Sequence, residues 1–567
     1  MIIISTKNFK VMKYKFWLFL TGAVTLITTS CKKDFLDRQI STELTKDEVF
    51  ISYARTRDFL IGTYGFLPDG FNRLDNAMLD AATDDAEFTW EGSAIQRYNN
   101  GSWNPYINPD DNWNTTYTAI RRTNLYLEQS GNVDLNMYKL NPDATAQQTY
   151  RNMTADLERW RYENRFLRAY FYFELVTRYG GVPLITKTLA LSDSLNLPRN
   201  TYDECVQFIT SECDSAAAHL AATVSDNDLG RATKGAALAL KSRMLLYYAS
   251  TLNNKGHLQE RWIAAAKAAK EVIDLNAYQL ENDYRALFRS TTSEEIIFAH
   301  RYAPGNGFER ANYPIGYDGG GSGTTPTQNL VDAYEMTDGS TFNWSNPDQA
   351  AHPYDNRDPR LAMTVILNNS QWKGRAVEAY TGGREGRGVD RATKTGYYLK
   401  KYVDENLDLV QNKTSVHTWI LFRLGEIYLN YAEAMNEAYG PDQDPQGFGL
   451  TAIEAVNKVR DRASVKMPLL LAGQWNTATL RDKLRNERRV ELAFEEHRYW
   501  DVRRWELGVA LFNTPVYGVN ITRTNAATFT YEKVEVEGRV FQPKMYWYPI
   551  PQAEKMKSSA LTQTPGW

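Results

Sequence analysis

Two separated segments of this chain follow one design, and that echo narrows the folds open to it more than any other feature. RMLLYYASTLNN is followed by a loop and WIAAAKAAKEVI; EIYLNYAEAMNE is followed by a loop and GLTAIEAVNKVR. In each, a first helix ends in Tyr-Ala and a second carries alanines at helical spacing. Ala249, Ala264 and Ala268 in one copy, and Ala432, Ala452 and Ala455 in the other, would let antiparallel helices approach closely. Tetratricopeptide-type pairs share this logic: a pair cannot bury its faces alone and must stack. A plain helical pair is the alternative reading of the same pattern.

Apolar spacing predicts long helices over Asp47 to Leu67, Trp113 to Gln129, Thr154 to Tyr179, Thr201 to Ala222, Lys234 to Thr251, Gln259 to Leu275, Trp419 to Ala438, Leu450 to Ala463 and Thr477 to Glu496. In ENRFLRAYFYFELVTRYGGVPL, Phe166, Tyr170, Phe173 and Thr177 make one stripe and Leu167, Phe171 and Leu175 another, so this helix is packed on two sides. Gly180 and Gly181 stop it, and Pro183 prevents a restart.

Two long irregular stretches, 68–112 and 302–418, interrupt the helices and are rich in Trp and Tyr. Loops of that length are functional or disordered, and the rings argue against disorder. The chain holds 35 Tyr and 14 Trp, more rings than a plain helical core needs. A surface that binds sugars needs ring faces to stack on C–H faces, with amide, carboxylate and guanidinium groups at the rim for hydroxyls. The loop aromatics suited to that are Trp90, Tyr98, Trp103, Tyr302, Tyr313, Tyr317 and Trp344; the polar candidates are Asn72, Asp84, Asp85, Arg97 and Arg384. Each could equally be loop packing, and Asp84 and Asp85 could equally be cap and turn groups.

Residues 1–30 read as a processing signal rather than fold. Lys7, Lys10, Lys13 and Lys15 precede the apolar run Phe16 to Ile27, and small residues lead to Cys31. This is similar to a bacterial lipoprotein signal in which Cys31 is acylated; an ordinary cleaved signal is the alternative, and Met12 could be the true start. Removing these residues takes four lysines and no acid, leaving 61 basic against 68 acidic side chains, a net charge of −7. Such a balance gives no electrostatic footing for nucleic acid. Cys205 and Cys213, eight apart on one predicted helix, cannot pair with each other.

Enzyme signatures are sparse. The six histidines are scattered with no two at metal-ligand spacing, so neither a metal nor a cofactor is expected. DGGGSG at 318–323 lacks the lysine and the strand–helix context of a phosphate cradle and reads as a flexible loop. Asp84 and Asp85 could suggest a glycosidase pair, but adjacent residues point apart, and such enzymes need separated, opposed acids.

The stretch Leu480 to Trp505, LRDKLRNERRVELAFEEHRYWDVRRW, holds eight basic and six acidic residues, too balanced for a phosphate grip. Arg488 with Glu491, or Glu495 with Arg498, could pair along a helix, and the interleaved apolar residues supply buried contacts. It reads as an ion-laced packing element. NERRVELAFEEHRYWDVRRW within it resembles the C-terminal signature of the SusD/RagB family of outer-membrane nutrient-binding lipoproteins. Other landmarks match in order across the mature chain, among them KKDFLD after Cys31, YTAIRRTNLYLEQ at 117–129, RATKGAALALKSRMLLYYAS at 231–250, PTQNLVDAYEMTDG at 326–339, NRDPRL at 356–361 and YWYPIPQAE at 546–554. Glu496 departs from the pattern, where the family more often has Gly.

The resemblance implies a mainly α fold on about four tetratricopeptide-like helix pairs with loop-rich regions and minor β structure. It divides the chain into a signal at 1–30, an N-terminal repeat-bearing region at 31–301, a loop-rich ligand-facing region at 302–418 and a C-terminal signature region at 419–567. It also implies a lipid anchor on the outer leaflet of the outer membrane, facing the exterior. The expected partner is a SusC-like TonB-dependent transporter, to which the protein delivers oligo- or polysaccharide without altering it. Peptide capture, a surface glycosidase and a scaffold with no small ligand are the competing readings.

Overall fold

The computed structural model describes residues 44–225 and 228–567; the signal and the Cys31 lipidation site lie outside them. Helix accounts for 43% and strand for 10% of the chain, so the fold is mainly α. Ten elements carry it: α1 Tyr53–Tyr64, α2 Trp113–Gln129, α3 Ala144–Tyr179, α4 Tyr202–His219, α5 Lys234–Ala249, α6 Gln259–Ile273, α7 Leu424–Tyr439, α8 Ala452–Arg460, α9 Thr477–Glu491 and α10 His497–Arg504. From α2 to α8 each packs on the one before it in the chain, and α9 also lies on α7. The two echoed pairs meet here: α6 is sandwiched between α5 and α7, although residues 274–423 are inserted between them. Small side chains set the approach. Ala249, Ala268, Ala432, Ala452 and Ala455 are all buried, while Ala264 is half-buried and its neighbours Ala265 and Ala266 take the contact.

α3 is the longest helix, at 36 residues. It starts ten residues before the periodicity predicts because Asp143 caps it, accepting from Thr145 N at 2.8 Å and Ala146 N at 3.2 Å. Phe166, Tyr170 and Phe173 of one stripe are buried against Phe298, Phe422 and Tyr247, with Thr177 half-buried, and Leu167, Phe171 and Leu175 of the other are buried too; α2 and α4 also pack on this helix. Gly180 ends it at φ 74°, and a Cβ on Gly181 would fall 2.1 Å from the Asn200 carbonyl.

Three further boundaries differ markedly from the sequence expectation. The predicted Asp47–Leu67 helix is broken at Ile51, and Ser52 caps the second part. The run Thr418–Arg423 is a strand, β4, paired antiparallel with Ile296–Arg301 (β2), and α7 begins only at Leu424. A run buried at every position carries no period by which strand and helix differ. The helix predicted to Glu496 ends at Glu491, because Phe494 and Glu496 take left-handed φ angles of 60° and 63°. The β2–β4 ladder closes the base of the loop-rich insertion. The other strands that bear on the site are β1 Ala86–Phe88, β3 Thr324–Pro326 and the long hairpin β5 Val516–Arg523 with β6 Phe529–Glu537.

The signature segment is largely buried, and most of its buried ion pairs run between elements, although Arg504 also meets Asp501 at 2.8 Å along α10. Glu491 on α9 receives Arg360, Arg423 and Arg462 at 2.9 Å each. Arg488 goes to Asp501 at 3.1 Å and Arg504 to Glu433 at 2.6 Å. The expected Arg488–Glu491 and Glu495–Arg498 pairs therefore do not form: Glu495 is taken by Arg423 and Lys401, and Arg498 by Asp84. Burial opposes ionisation of Glu491, yet the three guanidiniums outweigh it and hold its carboxyl well below the usual range. Cys205 and Cys213 are buried free thiols.

Candidate functional site

The two aromatic loops are joined by β1 and β3. These pair antiparallel from Ala86–Pro326 to Phe88–Thr324, and the contact continues through Thr89 N to Gly323 O at 3.0 Å. Trp90 follows directly and donates its indole N–H to Gly321 O at 2.9 Å. The Gly-rich run beneath it is a close-packed ledge, not the flexible loop its composition suggests. A Cβ on Gly321 would lie 2.7 Å from Arg310 O and 3.1 Å from the Trp90 ring, and one on Gly320 would lie 2.5 Å from Pro314 O. The indole is thus fixed by its own N–H, half-buried against Phe88, and lines a cleft.

That cleft has a volume of about 950 Å³. Thr89, Trp90 and Glu91 form one wall, residues 387–394 with Thr381 a second, and Asn520 with Val534 to Val536 of the β5–β6 hairpin the third. Thr381 donates to Asn520 Oδ1 at 3.1 Å, tying two walls together. Lys394 bridges Glu87 at 3.2 Å and Glu91 at 3.3 Å. Burial raises the Glu87 carboxyl to about 7, against the pull of Lys394. Hydroxyl, amide, carboxylate and cationic groups therefore surround one indole, a set suited to a polyhydroxylated ligand.

The aspartates proposed from sequence as sugar acceptors have a different task. Asp84 and Asp85 are buried and clamped by the signature segment. Arg489 donates to Asp85 at 2.6 Å and Asp84 at 2.9 Å, and Arg498 donates to both oxygens of Asp84 at 2.8 and 2.9 Å. Burial works against both carboxylates; at Asp84 the two arginines outweigh it and hold the group well below its ordinary value, whereas at Asp85 burial and the adjacent Asp84 leave it raised. The clamp pins the residues that lead into β1 and so places Trp90.

Most of the other sequence candidates are corrected in the same way. Tyr98 and Trp103 are core: Trp103 is 2% exposed and packs on Tyr98, Tyr548 and Trp567 with centroids 4.7–5.2 Å apart. Tyr313 is fully buried with its hydroxyl on Asp404 O, and Tyr317 is buried with its hydroxyl on Trp372 O at 3.0 Å. Tyr302 is half-buried against His300 and Phe71, and Trp344 against Phe342 with its N–H on Asp332 at 3.0 Å; neither lines the cleft. Half-buried Asn72 and Arg97 also lie outside it. Arg384 is exposed on the loop that forms the second wall, 3.7 Å from Glu378. Of the candidates, Trp90 alone lines the cleft. Sequence reasoning missed Thr381, Arg387, Lys394 and Asn520; the alternation of Gly and Arg in TGGREGRG was the one signal for the second wall.

Fold and cleft together define a helical-repeat scaffold that carries an open, polar, indole-bearing site on its loops. The SusD family model matches residues 294–567, and a second model, described as starch-binding associating with outer membrane, matches 34–246. The chain belongs to the SusD-like family. It is 24% identical to SusD-like protein P25 of Formosa agariphila, over 84% of this chain and 87% of that one. A SusD-like protein from Bacteroides fragilis has a crystal structure that superposes with a TM-score of 0.77 at 29% identity, covering 92% of this chain and 98% of that one. A SusD-like carbohydrate binding protein from the same organism superposes with a TM-score of 0.75 at 24% identity, covering 91% and 100%.

Proposed function

We propose that the protein is a non-catalytic glycan-binding lipoprotein of the outer-membrane surface, anchored through Cys31, which passes oligosaccharide to a SusC-like TonB-dependent transporter. The observation that carries the reading is Trp90, an indole locked by its N–H over a rigid ledge and lining a cleft of hydroxyl, amide and charged groups. Fixed rings make the net gain when a hydrated sugar gives up water, because little ordering remains to be done on binding. The family description, starch-binding associating with outer membrane, and the carbohydrate-binding relative support the ligand class. Among the described residues no helix is long and apolar enough to cross a membrane. A glycosidase built on Asp84 and Asp85 is disfavoured because both carboxylates are buried in ion pairs with Arg489 and Arg498.

Calorimetric titration of the mature chain with a panel of oligosaccharides tests this. At least one should bind, Trp90→Ala should weaken it by about tenfold or more, as base- and sugar-stacking rings do, and chromatography afterwards should find the glycan uncut. Shorter products, or a Trp90→Ala variant that binds as the wild type does, would refute the reading.

A further inference from the structure

The second wall of the cleft carries a charge with no counter-charge among the described residues. In the loop TGGREGRGVDR, 381–391, Glu385 is the anchor: it is buried, receives Arg375 and the Glu378 N–H (2.8 Å), and its carbonyl accepts from the Tyr398 hydroxyl at 2.6 Å. Gly383 and Gly386 pack so tightly that a Cβ would meet a backbone oxygen at 2.1 and 2.0 Å. The turn is therefore held in place, and Arg387, half-buried, lines the cleft from it.

The neighbouring cations are accounted for. Arg375 serves Glu385, Lys394 bridges Glu87 and Glu91, Arg391 stands 3.8 Å from Asp390, and Arg384 stands 3.7 Å from Glu378. Arg387 makes no hydrogen bond and no ion pair among the described residues. Partial burial lowers its pKa from the ordinary value, with no carboxylate to offset it. A guanidinium drawn partly out of water without a counter-charge is costly unless a ligand supplies one, and its fork geometry fits a carboxylate or sulfate through two parallel hydrogen bonds.

We propose that the cleft takes a glycan bearing an anionic oxyacid group, a uronate carboxylate or a sulfate ester, which Arg387 grips while Trp90 stacks on a sugar ring. This rests on the glycan reading above and narrows it. Asp390 and the exposed Glu535 face the same cleft, so the field is not uniformly basic: it favours one acidic group placed at Arg387 and disfavours a densely charged polyanion.

The test titrates the mature chain with three oligosaccharides of equal length: oligogalacturonate, a sulfated galactan fragment and neutral laminari-oligosaccharide. One acidic arm should bind about tenfold or more tighter than the neutral one, in keeping with a hydrogen-bonded charge pair, and the preference should shrink as salt is raised. Arg387→Gln should erase that preference, Arg387→Lys should restore part of it, and neither should lower the melting temperature. Acidic arms that bind no better than the neutral one, or a preference that survives Arg387→Gln, would overturn the proposal; if the neutral arm then still depends on Trp90, the glycan reading stands. Binding of none of the three would also overturn the proposal, while the glycan reading is decided by the wider panel.

Discussion

Trp90 and Trp103 belong to one aromatic loop, thirteen positions apart in the sequence, and their fates are opposite. Trp103 is enclosed by three rings, so Trp103→Ala should lower stability by about 3–5 kcal/mol, read as a fall in the denaturation midpoint. Trp90→Ala should change binding far more than stability. Each follows a short polar residue, Thr89 or Ser102, and it is the long-range partners Tyr548, Trp567 and Gly321 that decide their fates. Glu496 is a second residue whose role only coordinates reveal. It sits at φ 63°, is paired with Arg73 at 3.0 Å, and burial raises its carboxyl from 4.5 to about 7 against that pairing. A raised carboxyl binds its proton more tightly folded than unfolded, so this group subtracts stability as pH climbs from about 4.5 to about 7. Glu496→Gln should therefore be nearly neutral at pH 4.5 and stabilising by on the order of 1–3 kcal/mol at pH 8. Urea midpoints of both proteins at the two pH values would show it, and an equal difference at both would contradict it.

At the scale of elements, the link between α9, α10 and β1 matters most. Arg489 and Arg498 project from the signature segment and hold Asp84 and Asp85, six and five residues ahead of Trp90. Removing one member of a buried pair leaves an uncompensated charge, so Arg489→Met should cost about 3–5 kcal/mol. Adding Asp85→Asn should recover part of that, a coupling that a double-mutant cycle in denaturant would measure. Additive losses would mean that the clamp is not one unit. Helix cores were legible from spacing because a half-exposed helix writes its period into the sequence. The strand Thr418–Arg423 was not, since it is buried at all six positions and shows no polar face. The i, i+3 ion pairs were misassigned for a related reason: spacing names who can meet along one helix, but the break at Phe494 turns Arg498 toward another element.

For the whole molecule, the alanine-spaced echo was the informative signal, because close helix packing demands small residues wherever the pairs meet, however much chain is inserted between them. The family resemblance, carried by dispersed motifs, also survived contact with the coordinates. The candidate site did not follow as readily. It is assembled from residues 89–91, 381–394 and 520–536, and convergence of three loops depends on ladders and clamps that no local pattern encodes. The central claim is that a rigid helical stack presents this one cleft to a glycan. Hydrogen–deuterium exchange of the mature chain, with and without a saturating oligosaccharide, examines it directly. Slowed exchange confined to 86–94, 381–394 and 516–536 is the expected result; protection on α2 to α6 instead, with those three segments unchanged, would contradict it.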